Sequence, residues 1–303
     1  MGTKGLLLAL ALLLLWPAAD TGRAHDYVSA EGVALVEESV RIPGPGRRYT
    51  IATTILRPEG RGPFGAIVLN HGVALTAEAR QRESAALLMP AAELLAARGF
   101  AVIMPLRRGF GATGGRFAED AGSCGSPDYL RGEAAAADDI MAAYDFARRL
   151  PYVDSSRMIL AGQSAGGVAA LFAAGTRKPE GLVAVLAFAA GRGGDPVSHP
   201  GVPCAVEPLA KVFADLGRQV RVPVLFHYAA NDLYFNSSTS QLWFERFNAG
   251  GAPAQYVLQP PFSANGHYIF SDGAGARYWV PAVESFLRKY AVPFGNVVPR
   301  TEA

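Results

Sequence analysis

Arg157-Met158-Ile159-Leu160-Ala161-Gly162-Gln163-Ser164-Ala165-Gly166-Gly167 decides how the chain is read. A short apolar run enters Gly-Gln-Ser-Ala-Gly, and the alanine-rich residues 168–174 leave it. That is strand, tight turn and helix with a serine at the apex, the context in which G-x-S-x-G forms a nucleophile elbow. Gly162 and Gly166 leave room where strand and helix backbones come very close. The turn lifts the Ser164 hydroxyl off the sheet edge. The Ala165 amide then lies at a helix N-terminus, where it can donate to a developing oxyanion. A Gly-rich turn with a solvent-facing serine is the competing reading, and residues elsewhere must decide between the two.

On both sides of this turn strands and helices alternate. Residues 33–42 and 49–56 read as a hairpin across Pro43-Gly44-Pro45-Gly46. Residues 66–69, 101–106, 158–161, 182–189 and 223–228 are apolar runs, as expected of strands buried on both faces, and 254–258 is the last strand. Helices are expected over 84–98, 133–150, from Ser164 to about 176, 207–220, 238–248 and 277–290, with 292–303 as a tail. Residues 107–131 form a long Gly-rich loop of the kind that lines a site, and 191–203 a second loop. The pattern predicts an α/β fold: a predominantly parallel central sheet with helices on both faces, in one domain without a large lid. Its active face should lie at the C-terminal ends of the strands.

A serine needs a base, normally histidine, held by a carboxylate. Of five histidines, His25 is near the start, His71 precedes the serine, His199 is in a loop, and His227 sits inside a buried strand as a satisfied core residue. His267, in Asn265-Gly266-His267-Tyr268 after the last strand, is the candidate base. Between Ser164 and His267 lie Asp195, Asp215 and Asp232. Asp215 is mid-helix. Asp232 follows a strand and is favoured as the acid, with Asp195 in reserve and a plain turn aspartate as the rival reading. The second oxyanion donor should come from His71-Gly72-Val73, where glycine lets the chain bend and the Val73 amide enters the site. His71 braces that loop.

At 303 residues, half of them hydrophobic, 18% charged and with net charge +2, the chain is neither disordered nor a coiled coil. No basic run suggests a nucleic-acid partner. Arg47-Arg48 and Arg107-Arg108 read as local surface features. No P-loop, CxxC or HExxH occurs, and Gly109–Gly115 does not fit a dinucleotide fingerprint, so no cofactor or metal is expected. Residues 1–24 read as a signal peptide: Lys4, an apolar run over 5–16, Pro17, then small residues with cleavage after Ala24. The expectation is an exported protein, periplasmic or secreted, with no membrane span after the signal is removed. Cys124 and Cys204 lie in Gly/Pro/Ser-rich loops, and in an oxidising compartment they can form one disulfide; two free buried thiols are the alternative.

With these residues in view the chain resembles the α/β-hydrolases, and among them the dienelactone-hydrolase-like and related exported serine esterases. The resemblance rests on Asn70-His71-Gly72, Arg107-Arg108-Gly109-Phe110-Gly111, Gly162-Gln163-Ser164-Ala165-Gly166-Gly167, Ala230-Asn231-Asp232-Leu233-Tyr234-Phe235 and Gly266-His267, across about residues 33–290. It implies Ser164 as nucleophile, Asp232 as acid and His267 as base. Dienelactone hydrolases proper use a cysteine, so Ser164 favours ordinary ester chemistry. With no propeller preceding the fold, an oligopeptidase of the prolyl type is disfavoured. The expected activity is hydrolysis of a small-molecule carboxylic ester through an acyl-enzyme. An acyltransferase or serine peptidase on the same triad, or a non-catalytic binding protein of hydrolase fold, are the alternatives.

Overall fold

Apolar runs that do not alternate with polar residues need cover on both faces, and the core is built that way. The structure, a computed structural model, describes residues 21–295. Its strands are β1 (Thr21–Val28), β2 (Ala34–Pro43), β3 (Thr50–Pro58), β4 (Phe64–Asn70), β5 (Phe100–Pro105), β6 (Val153–Gln163), β7 (Leu182–Phe188), β8 (Val224–Ala229) and β9 (Ala254–Gln259). Among the described residues they form one nine-stranded sheet in the order β1-β2-β3-β5-β4-β6-β7-β8-β9. β1, β2, β3 and β5 pair antiparallel; from β5 through β4 to β9 all pairs are parallel.

Among the described residues seven helices connect and cover them: α1 (Ala77–Gln81), α2 (Met89–Ala96), α3 (Tyr129–Ala147), α4 (Ala165–Arg177), α5 (Val206–Gln219), α6 (Ser237–Asn248) and α7 (Ala276–Lys289). Successive side chains of a strand point to opposite faces. Ala66 and Val68 of β4, Met158 and Leu160 of β6, and Phe226 of β8 join one core under α3 to α6. Ile67, Leu69, Ile159, Ala161 and Leu225 join a second core under α2 and α7. α4 is buried from Ala165 to Gly175, as its alanine-rich, uniformly apolar sequence requires.

Four expectations shift. The helix over 84–98 is broken into a 3₁₀ turn at Ala85–Leu87, capped by Ser84, and α2, and the short α1 precedes it. Pro90 is the cause: it fits the first turn of a helix but not its interior, so α2 begins at Met89. The helix expected from 133 begins at Tyr129, because the Asp128 carboxylate caps it by accepting from the Arg131 amide at 3.0 Å. The tail expected from 292 begins by packing: Val292 is buried, and Phe294 lies against Phe100. β1 pairs with β2 across residues set aside with the signal peptide. Of residues 1–24 only 21–24 are described, so that reading lies mainly outside the described residues. Cleavage after Ala24 would leave His25–Val28 paired with Glu37–Ala34. Among the described residues no helix is long and apolar enough to cross a membrane.

Candidate active site

β6 runs without a break into Gln163, and α4 begins at Ala165, so Ser164 alone makes the turn. Its backbone sits at φ 58°, ψ −127°, a conformation that costs a non-glycine residue about 1–3 kcal/mol. Surrounding hydrogen bonds hold it there. The Ser164 amide donates to Phe188 O (2.9 Å), and its carbonyl accepts from the amides of Gly167 (3.0 Å) and Gly191 (3.2 Å). A Cβ on Gly162 would come within 2.3 Å of Gly166 O, and one on Gly166 within 2.3 Å of His71 O. Both positions therefore require glycine. The Ala165 amide, first in α4, has no acceptor within its own helix.

Parallel pairing brings the other loops to the same sheet edge. Asn70 at the end of β4 is in register with Gly162, and Ala229 at the end of β8 with Gln259 of β9. Asp232 leaves β8 in a turn where its Oδ1 accepts from the amides of Tyr234 (2.7 Å) and Phe235 (3.1 Å). His267 Nδ1 lies 2.9 Å from Asp232 Oδ2 and 3.1 Å from Oδ1. Donation from Nδ1 to the carboxylate leaves the ring's Nε2 as an acceptor. Both side chains are buried.

Residues not assigned from sequence fix this pair. Tyr234 stacks on the His267 ring with centroids 4.1 Å apart, and Phe235 meets it edge-on. Asn265 Oδ1 accepts from the amides of both His267 and Leu233, at 3.0 Å each, and so joins the two loops. Gln163 Nε2 donates to His267 O at 2.7 Å. In the sequence Asn265 is only a neighbour of His267; the Asx-type bridge depends on a fold-level contact.

The loop after β4 is held as tightly. His71 Nδ1 is 2.7 Å from Gly72 O, and His71 Nε2 accepts from the Arg107 amide at 3.2 Å. Both contacts are met only by the neutral tautomer with its proton on Nδ1. Burial, reinforced by the Arg107 charge, lowers the His71 pKa to about 3. Val73 follows, and lines the space next to Ser164.

Arg107 overturns its reading as a surface residue: it has no exposed area. Its guanidinium donates to His71 O (2.9 Å), to Gly72 O (3.3 Å) and to the Glu119 carboxylate. Glu119 also accepts from Arg192 (3.1 Å), which donates to Glu133 at 2.6 Å. The four charges sum to zero, and all four residues are buried. Burial raises the Glu119 carboxyl, but Arg107 and Arg192 outweigh it and hold it below its ordinary value. Burial prevails at Glu133 and raises it. Local sequence carries no sign of this cluster, because its members come from two separate loops and a helix.

The remaining candidates lie elsewhere or do other work. Asp195 Oδ1 accepts from the amides of Val197 and Ser198 in its own loop, at 3.0 Å each. Asp215 pairs with Arg218 on α5. His199 bridges back to Asp195 through the backbone, and His25 lies on β1. His227 is a buried core residue, but only half satisfied: Nε2 is 3.2 Å from Gln259 Nε2, and Nδ1 has no partner. Cys124 and Cys204 are joined in a disulfide, with Cα atoms 5.5 Å apart. Among the described residues no group of three or more His, Cys, Asp or Glu could hold a metal ion.

Two cavities meet at Ser164. One, of about 330 Å³, is bounded by Val73, Phe117, Tyr129, Ala165, Arg192 and the disulfide. The other, of about 290 Å³, is bounded by Gly72, Val73, Leu87, His267 and Tyr268. Leu75 and Tyr234 border both.

Solved structures share this fold at low sequence identity. An esterase from Pyrococcus furiosus is 15% identical, with TM-score 0.59 over 84% of this chain and 91% of its own. A dienelactone hydrolase-like promiscuous phosphotriesterase from metagenomic libraries is 18% identical, with TM-score 0.57 over 86% and 99%. The protein has the α/β-hydrolase fold. A Pyrococcus horikoshii acylaminoacyl peptidase shares that fold at 14% identity and TM-score 0.56; the match spans 92% of this chain but 43% of the peptidase. Residues 88–190 match the prolyl oligopeptidase family; the segment lies within the hydrolase fold and contains Ser164. A comparison with curated proteins found no match.

Proposed function

We propose that the protein is a serine carboxylic-ester hydrolase. The observation that carries the reading is the buried Asp232–His267 pair, whose histidine lines the same cavity as Ser164. In this mechanism His267 removes the Ser164 proton as the hydroxyl oxygen attacks the ester carbonyl. Asp232 fixes the imidazole tautomer and stabilises the imidazolium. The Val73 and Ala165 amides bind the oxyanion, each worth about 3 kcal/mol. The C–O bond to the alcohol breaks and His267 returns the proton to the leaving oxygen. Water, deprotonated by His267, then hydrolyses the acyl-enzyme.

The leaving oxygen must lie within reach of His267, so the alcohol occupies the 290 Å³ cavity that His267 borders. The acyl group occupies the 330 Å³ cavity on the Ala165 side. The family match and the peptidase neighbour favour one second reading, acyl transfer from an amide instead of an ester. The proposal includes residues 1–24 as a signal peptide and export to the periplasm or beyond. The Cys124–Cys204 bond supports it, since such bonds persist in oxidising compartments.

Matched nitrophenyl esters and nitroanilides of graded acyl length test the reading. Turnover of esters well above anilides is expected. A preference for anilides supports the peptidase, and turnover of neither overturns both.

A further inference from the structure

We propose that Arg107 is the positioning residue of the oxyanion hole: it locks the Gly72–Val73 peptide in the orientation that turns the Val73 N–H into the site. The inference rests on the serine-hydrolase reading and adds to it a residue that touches neither substrate nor the triad.

A trans peptide is planar, with its C=O and N–H pointing in opposite directions. Whatever fixes the Gly72 carbonyl therefore fixes the Val73 amide. That carbonyl accepts from His71 Nδ1 at 2.7 Å and from the Arg107 guanidinium at 3.3 Å. The preceding carbonyl, His71 O, accepts from the same guanidinium at 2.9 Å. The Arg107 backbone amide donates to His71 Nε2 and holds that ring in place. One residue thus controls two successive carbonyls directly and a third contact through its main chain. Without these bonds, a peptide following a glycine could rotate, and rotation would place a carbonyl oxygen where an oxyanion has to bind.

The fork of the guanidinium is what the geometry uses. It spans two carbonyls and the Glu119 carboxylate at once, which an ammonium cannot do. Glu119 is in turn held by Arg192, and Arg192 by Glu133. The cluster is an unpromising source of stability alone, since buried ion pairs often do no better than apolar replacements. Its members bracket the loop that carries Val73 and one wall of the larger cavity.

Arg107→Lys tests this in the full-length protein. It keeps a charge beside Glu119 but loses the fork. The expected result is a kcat lower by about 10–100-fold on a nitrophenyl ester, with KM changed by less than about 3-fold. Affinity for a trifluoromethyl ketone, whose carbonyl oxygen becomes an oxyanion when Ser164 adds to it, should fall by a similar factor. The double variant Arg107→Met/Glu119→Gln removes both charges together and should show the same split. A folded variant with kcat within about 3-fold of the parent overturns the proposal, as does a loss carried entirely by KM. Failure of both variants to fold makes Arg107 structural and also overturns it. A parent that neither turns over esters nor reacts with the ketone sinks the hydrolase reading itself, whereas an active parent with an unimpaired variant sinks this inference alone.

Discussion

Ser164 occupies a backbone conformation that only its surroundings make tolerable, and two glycines define those surroundings. Gly166→Ala would drive a Cβ to within 2.3 Å of His71 O and 2.4 Å of Asn70 O. The strand, the helix and the oxyanion loop cannot all stay in place, so the variant should lose both thermal stability and esterase turnover; a melting curve and a rate measured on one preparation check this. Asp232→Asn keeps the size of the side chain but offers the His267 ring an amide, which can hold the wrong tautomer. The expected cost is about 10³–10⁴-fold in kcat with little change in melting temperature. Ser164, Asp232 and His267 were legible because each sits in a local pattern: an elbow, a turn after a strand, a loop after the last strand. Arg107 was not. A charged residue beside a second arginine in a Gly-rich loop reads as surface, and only the fold brings Glu119 and Arg192 over it.

The loops form the site, and the strands fix where the loops begin. Strands are legible as continuous apolar runs, and β4, β5 and β7 to β9 fall where expected, whereas β6 begins at Val153, ahead of the apolar run from Met158. Helix starts were less so, because Pro90 and the Asp128 cap act over one or two residues that a periodic pattern averages away. The Cys124–Cys204 bond joins the long loop before α3 to the turn before α5, across 80 residues of sequence. Sequence offered the pair but no proof of proximity. Closing a loop of that length is worth about 2–4 kcal/mol. Cys124→Ser/Cys204→Ser should therefore melt several degrees lower than the parent. Both cysteines border the proposed acyl cavity, so the variant should lose discrimination between long and short acyl esters before it loses turnover of the shortest.

The whole molecule carries two histidines in surroundings that exclude charge. Burial lowers His227 from 6.5 to about 4 and, with Arg107, His71 to about 3. Each takes up its proton near 6.5 in the unfolded chain but only well below that in the folded one. Between those values the unfolded chain binds more protons, so stability is full above about 6.5 and falls as pH drops toward 4. For His227 the shift corresponds to on the order of 3 kcal/mol. The raised carboxyls Glu133 and Asp139 act in the opposite direction, but equally in a variant that keeps them. His227→Leu should accordingly show a shallower fall in melting temperature between pH 6.5 and 4 than the parent; parallel curves would contradict the assignment. At this scale the proposed site is a single serine nucleophile served by loops from four strands. The most direct measurement is peptide mapping after reaction with a fluorophosphonate, run beside nitrophenyl-ester turnover for the parent and Ser164→Ala. The expected result is a single adduct on Ser164, with adduct and turnover both lost in the variant. An adduct on another residue, or turnover that survives Ser164→Ala, would contradict it.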